Sequence, residues 1–188
     1  MKRAVLALVA LIVTGSAVVV GAPAAYAYPN CYHEWCQWVV NPGFENSSPA
    51  PWVPSPNATF PSNNICGQGT KVAKLKRTES LQKEWIYQRM YIDDAFSGPK
   101  AQVELKLDLR DDTNSAWDEL RIIVKNLETN ATETKSIKGN NYSTTCPILP
   151  ITWDLASDYG GHNVELKLEI QSFSTGTFVL DDVFFWTH

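Results

Sequence analysis

Histidine is scarce in this chain: among 188 residues there are three, His33, His162 and His188. A histidine-based catalytic triad therefore has few members to draw on. No G-x-S-x-G and no H-E-x-x-H sequence occurs, which removes the usual marks of a serine-hydrolase elbow and of a zinc protease. Clustered positive charge is lacking too. The one basic run, Lys71 to Arg77, reads as the solvent face of a strand. Without a basic patch there is no electrostatic footprint for a nucleic acid partner. Also lacking are an internal repeat and the recurrence of apolar residues at three and four that marks helices.

What is present begins with "MKRAVLALVALIVTGSAVVVGAPAAYA". A basic start at Lys2 and Arg3, an apolar stretch and Ala25-Tyr26-Ala27 read as a secretory signal with an A-x-A cleavage site. An uncleaved membrane anchor is the competing reading, because the stretch approaches the length of a span. Cleavage would leave residues 28–188 as one domain with a substantial core and no membrane span. Losing Lys2 and Arg3 leaves 14 basic against 20 acidic residues. The expected location is extracellular.

Four cysteines follow this signal: Cys31, Cys36, Cys66 and Cys146. Export favours oxidation, so disulfides are expected. Three connectivities are open, and Cys31 with Cys36 and Cys66 with Cys146 is the favoured one. Zinc held by "CYHEWC" is the weaker reading, since its four-residue gap is at the edge of ligand spacing.

Alternation dominates the rest. In "AQVELKLDLR", Val103, Leu105, Leu107 and Leu109 form one face while Glu104, Lys106, Asp108 and Arg110 form the other. "HNVELKLEIQSF" repeats the pattern with Val164, Leu166, Leu168 and Ile170 against Glu165, Lys167 and Glu169. Further strands are predicted at 36–40, 70–76, 85–92, around 120–124, in "NYSTTCPILPITWDL" as an approach broken by Pro147 and Pro150, and at 177–186. "WDLASDYGG" is the one candidate helical turn. About eight strands separated by turn-rich loops predict an all-β chain, an antiparallel β-sandwich of jelly-roll form.

One detail of the last strand needs an explanation. "FVLDDVFFWTH" places Asp181 and Asp182 side by side in the most apolar run of the mature chain. Successive strand residues point to opposite faces, so one aspartate would point where apolar side chains point. A buried carboxylate is costly unless paired, hydrogen-bonded or bound to a metal.

Three stretches, "WVVNPGFENSSPAPW", "DLASDYGGHNVELKLEI" and "FVLDDVFFW", together resemble the secreted carbohydrate-binding modules of families 4, 9 and 22, which have the galactose-binding-like jelly roll. The resemblance spans nearly all of residues 28–188 in the expected order. It implies a structural calcium between Glu45, early in the chain, and the closing aspartates, with Asp181 the preferred ligand and Asp182 turned the other way. Hard carboxylate oxygens suit that ion.

It also implies a polysaccharide or glycan ligand, bound without turnover. Sugar recognition needs flat aromatic platforms beside hydrogen-bonding side chains. Trp85, Tyr87 and Gln88 lie in the polar setting "QKEWIYQRMY", Trp117 follows "DDTNSA", Tyr142 lies in "GNNYS", and Trp35 lies between two cysteines. These six are the candidate sugar contacts, whereas Phe44, Trp52, Phe184 and Trp186 are expected in the core. Two other readings stand beside this one. The first is a secreted or cell-envelope protein holding a protein partner on the same scaffold. The second is a small glycoside hydrolase, for which Glu104, Asp108, Glu165 and Glu169 project from strand faces.

Overall fold

The computed structural model describes residues 30–32, 35–62, 69–76, 83–96, 101–108, 118–138, 151–171 and 177–188. Within these, the chain forms eleven strands: β1 (Asn30–Tyr32), β2 (Trp35–Gln37), β3 (Val53–Pro54), β4 (Ala73–Lys76), β5 (Glu84–Tyr91), β6 (Ala101–Asp108), β7 (Glu119–Asn126), β8 (Thr132–Lys138), β9 (Ile151–Leu155), β10 (Asn163–Gln171) and β11 (Thr177–Thr187). One sheet has six strands in the order β1-β2-β11-β6-β9, with β4 also paired to β11. The other has five in the order β3-β5-β10-β7-β8. All pairings are antiparallel.

The alternating faces account for this arrangement. Val103 and Leu105 of β6, Leu120, Ile122 and Val124 of β7 and Val164, Leu166, Leu168 and Ile170 of β10 are all buried between the sheets. Phe44, Leu75, Ile86, Phe178 and Phe185 fill the same layer. Each such side chain contributes about 1.5–3 kcal/mol relative to full exposure.

Four expectations change. "WDLASDYGG" is not helical at its start: Trp153, Asp154 and Leu155 finish β9. The helical geometry among the described residues is a single 3-10 turn, Asp94–Phe96. Strand β8, outside the predicted set, is a polar edge strand in which Ile137 is the only buried residue. Phe184 and Trp186 are half-buried on the outer face of the six-stranded sheet and not in the core.

The fourth change is in β11. Its core-facing residues run Phe178, Leu180 and then Val183, Phe185, so the alternation slips by one at the aspartates. The pairing with β6 is irregular between Asp181 and Phe184, and Asp182 takes a left-handed φ of 45°. This is a β-bulge, which inserts one extra residue and resets which side chains face inward. Val183, Phe185 and Thr187 thereby return to the interior.

Candidate functional site

On β5 the odd-numbered residues point outward: Trp85 and Tyr87 are half-buried and Arg89 and Tyr91 are exposed. The Trp85 and Tyr87 rings lie 5.3 Å apart at 33°. Val53 of β3 pairs with Tyr87 and is itself exposed, extending the apolar strip sideways. From Trp85 to Tyr91 the strip runs roughly 20 Å at strand spacing.

Beside the aromatics stands a row of charges from β10, placed by register. Trp85 faces Glu169, Tyr87 faces Lys167 and Arg89 faces Glu165. Lys167 Nζ lies 5.5 Å from the centre of the Trp85 ring and donates to Glu169 Oε2 at 2.5 Å. Arg89 lies 5.2 Å from the centre of the Tyr87 ring and donates to Glu165 at 2.8 Å. The Glu169 carboxylate, 4% exposed, also meets Lys83 at 3.2 Å and Arg121 of β7 at 3.7 Å. Burial works to raise this carboxyl, but hydrogen bonds from Lys167 and Lys83 outweigh it and hold it below the ordinary value. Glu169 therefore stays ionised and locks three cationic side chains into one row. Arg121 also donates to Gln171, and Ile123 sits next in the row beyond Lys167.

Gln88 is not part of this surface. Its odd-numbered neighbours face out, so it faces in: it is 1% exposed and spans to the backbone of Val40, accepting from Val40 N at 2.7 Å and donating to Val40 O at 2.9 Å. Trp35 lies on the other sheet, in β2, beside His188 at 5.0 Å between ring centres. Trp117 and Tyr142 lie outside the described residues. Within the charged row of Lys83, Arg121, Lys167 and Glu169, the sequence marks only Lys167 and Glu169, as outward residues of their strand. Alternation of β10 places Lys167 and Glu169 outward, but nothing local sets them beside β5.

The second predicted site also takes shape. The turn 41–45 docks on the β11 bulge, where Val183 N donates to Pro42 O at 3.0 Å and Asp182 N donates to Asp181 Oδ1 at 2.8 Å. Those two bonds satisfy donors that the bulge removes from the ladder. A Cβ on Gly43 would stand 3.4 Å from Asp182 Oδ1, 3.5 Å from Asp181 Oδ1 and 3.6 Å from Glu45 Cγ. Gly69, at a φ of 60°, leaves room for the same group from the other side: a Cβ there would overlap Glu45 Oε1 and stand 3.8 Å from Asp181 Oδ2. The three acidic residues thus gather around two glycines. The expectation that Asp182 turns away is corrected, because the bulge brings both aspartates to Gly43. Glu45 accepts from Thr70 N at 2.6 Å, Lys71 N at 3.0 Å and the Thr70 hydroxyl. The Thr70 hydroxyl is the largest cause of its lowered carboxyl, followed by the Lys71 amide. Among the described residues no group of three or more His, Cys, Asp or Glu side chains has metal-holding geometry as placed.

Of the predicted bridges, Cys31–Cys36 is formed, across the β1–β2 hairpin where the two residues pair. Cys66 and Cys146 lie outside the described residues.

No protein-family model matches the chain, and no curated protein matches it in sequence. Its fold is shared with solved structures of low identity. The carbohydrate-binding module TmCBM61, in complex with β-1,4-galactotriose, superposes with a TM-score of 0.62 at 12% identity, covering 81% of this chain and 99% of that one. A carbohydrate-binding module from the β-sandwich superfamily, studied for promiscuous specificity, gives 0.54 at 13% identity over 76% of this chain and 60% of its own. An arabinose-bound α-L-arabinofuranosidase, MgGH51, gives 0.56 at 12% identity; 80% of this chain matches 26% of that enzyme. The chain has the antiparallel jelly-roll β-sandwich fold of carbohydrate-binding modules.

Proposed function

We propose that this protein is a secreted module that binds a polysaccharide or glycan without chemical turnover, along the outer face of the five-stranded sheet. The observation that carries the reading is the Trp85–Tyr87 pair running beside the row Lys167, Glu169 and Arg121. Aromatic faces cover the apolar faces of pyranose rings, and fixed charged groups accept from and donate to hydroxyls. Because Glu169 is already surrounded by cations, the row costs little to organise when ligand arrives.

A hydrolytic reading of this face has no support in its geometry. Glu165 and Glu169 are four residues apart on one strand, roughly 13 Å at strand spacing. Glycoside hydrolases place their two carboxyls about 5–9.5 Å apart across the bond they cleave. Both glutamates are also committed to ion pairs with Arg89, Lys83, Lys167 and Arg121.

A calcium ion held by Glu45 and Asp181, with Asp182 and backbone carbonyls nearby, is part of the proposal. What supports it is the all-oxygen donor set gathered at Gly43 and Gly69, and a 1% exposed Asp181 whose burial an ion would offset. Bound there, the ion would tie the turn 41–45 to the last strand; it takes no part in chemistry. Secretion is supported by the signal-like residues 1–27 and by the Cys31–Cys36 disulfide.

The test is a glycan array probed with the mature chain, followed by affinity electrophoresis on the polysaccharides that score. β-1,4-Galactan belongs in the panel, since TmCBM61 was solved with a galactotriose. Retention that is lost in Trp85→Ala supports the reading. A chain that ignores every glycan but leaves culture supernatant in a defined protein complex overturns it in favour of a protein partner.

A further inference from the structure

The opposite side of the sandwich carries a second aromatic surface that the first one does not explain. On β11, past the bulge, Phe184 and Trp186 project from the outer face of the six-stranded sheet with their rings stacked, 5.4 Å apart at 26°. Both are half-buried. Trp35 on β2 adds a third ring on the same side, 38% exposed and tilted against His188.

Polar groups border these rings on both flanks. On the β6 side, Trp186 pairs with Gln102 and Phe184 with Glu104. Gln102 Nε2 donates to Asp154 of β9 at 2.6 Å, and Thr152 lies opposite Glu104. On the β2 side Trp186 pairs with Gln37. Residues directly opposite in an antiparallel pair share a face, so Gln37 belongs to this surface. Gln37 is 8% exposed, and its Oε1 is buried and accepts no hydrogen bond among the described residues. A buried amide oxygen left without a donor is costly, a cost that an ordered water would offset.

We propose that Trp35, Phe184 and Trp186 form a second carbohydrate platform, with the Glu104 and Asp154 carboxylates at its border accepting sugar hydroxyls. The surface asks for one molecule that presents a flat apolar face and a hydroxyl donor together, and a pyranose does. A second copy of this chain fits less well. A two-fold contact through this face would gather the Glu104 and Asp154 carboxylates of both copies in one interface. The platform stands on the opposite side of the sandwich from Trp85 and Tyr87, with both sheets between, so one sugar ring cannot touch both. Two platforms facing apart would let one molecule engage two glycan chains, giving avidity without any new contact within either site. The inference does not rest on the Trp85 site being a sugar site.

Indole-labelled NMR separates the two. The mature protein carrying 15N-tryptophan is titrated with cellohexaose, xylohexaose and β-1,4-galactotriose, and the Nε1–H resonances of Trp35, Trp186 and Trp85 are followed. The proposal expects at least one sugar to move Trp35 and Trp186, with roughly tenfold or greater weakening in Trp186→Ala. Asp154→Ala, which keeps the aromatic rings, weakens the same titration. Trp85→Ala leaves it unchanged. Three results overturn the proposal: Trp35 and Trp186 stay still with all three sugars, whatever Trp85 does; their shifts vanish in Trp85→Ala; or they move with protein concentration alone, which assigns the face to a second copy of the chain.

Discussion

Lys167 serves two partners at once: its ammonium lies 5.5 Å from the centre of the Trp85 ring and donates to Glu169 at 2.5 Å. A single side chain therefore couples the aromatic strip of β5 to the ion-paired row that crosses β10 and β7. Lys167→Met keeps the aliphatic stem over the indole but removes that coupling. Glu169 retains Lys83 and Arg121, so the loss of stability is held to about 1–2 kcal/mol. Urea unfolding checks this, and glycan affinity of the same variant should fall, because the carboxylate is no longer pinned beside Trp85.

The bulge at Asp181 and Asp182 makes adjacent residues of β11 unequal. Phe185 is buried in the core while Phe184 lies half-exposed on the outer face. Phe185→Ala is expected to cost about 3–5 kcal/mol, the range for a phenylalanine removed from a packed core. Phe184→Ala should cost about 1 kcal/mol or less, as a surface change does. Denaturant midpoints of the two variants decide the phase of the strand directly. Equal losses would mean that the alternation does not slip.

Much of this architecture is visible in the alternation of single strands. The inward residues of β6, β7 and β10 are those the sequence pattern marks, because period-two burial is a local property. The slip in β11 is also written there, as apolar residues at 178 and 180 giving way to 183 and 185. A strictly regular period of two across 177–186 hides it. Trp85 and Tyr87 share a face by spacing alone, and the same parity places Gln88 on the other one. The partners of those rings are another matter. Lys167 and Glu169 come from some 80 residues further along, by a register that depends on how β5 and β10 pair across the whole sheet. Strand β8 stayed hidden because an edge strand needs only one buried side chain, and Ile137 leaves no pattern to read.

Acid should loosen the fold in a defined direction. Glu45, Glu128, Glu133 and Glu169 all hold carboxyls below the ordinary glutamate value of 4.5. Hydrogen bonding to Asn163 is the leading cause for Glu128; for Glu133, burial opposes the shift and the amides of Ala156 and Ser157 overcome it. The unfolded chain then binds more protons than the folded one as the pH drops, so these groups stabilise fully above 4.5 and progressively less below it. Thermal midpoints measured from pH 7 down to pH 3 should stay level at first and decline once below 4.5. A midpoint that rises in that acid range contradicts the assignment.

Chelation tests the proposed ion. Adding EGTA to the mature protein should lower its thermal midpoint by several degrees, and excess calcium should restore it, since a ligand bound to the folded state alone stabilises by mass action. Asp181→Asn should abolish the calcium response. A midpoint indifferent to EGTA and to calcium removes the ion from the account and leaves Glu45 as a cap on the Thr70 and Lys71 amides.

The central claim is that the outer face of the five-stranded sheet binds sugar through Trp85 and Tyr87. Isothermal titration of the mature protein with the glycan selected by array, repeated on Trp85→Ala and Tyr87→Ala, measures it most directly. The account predicts binding by the parent chain and roughly tenfold or greater weakening in each variant, with thermal midpoints within a few degrees of the parent. Variants that remain folded and bind with the parent's affinity would contradict it.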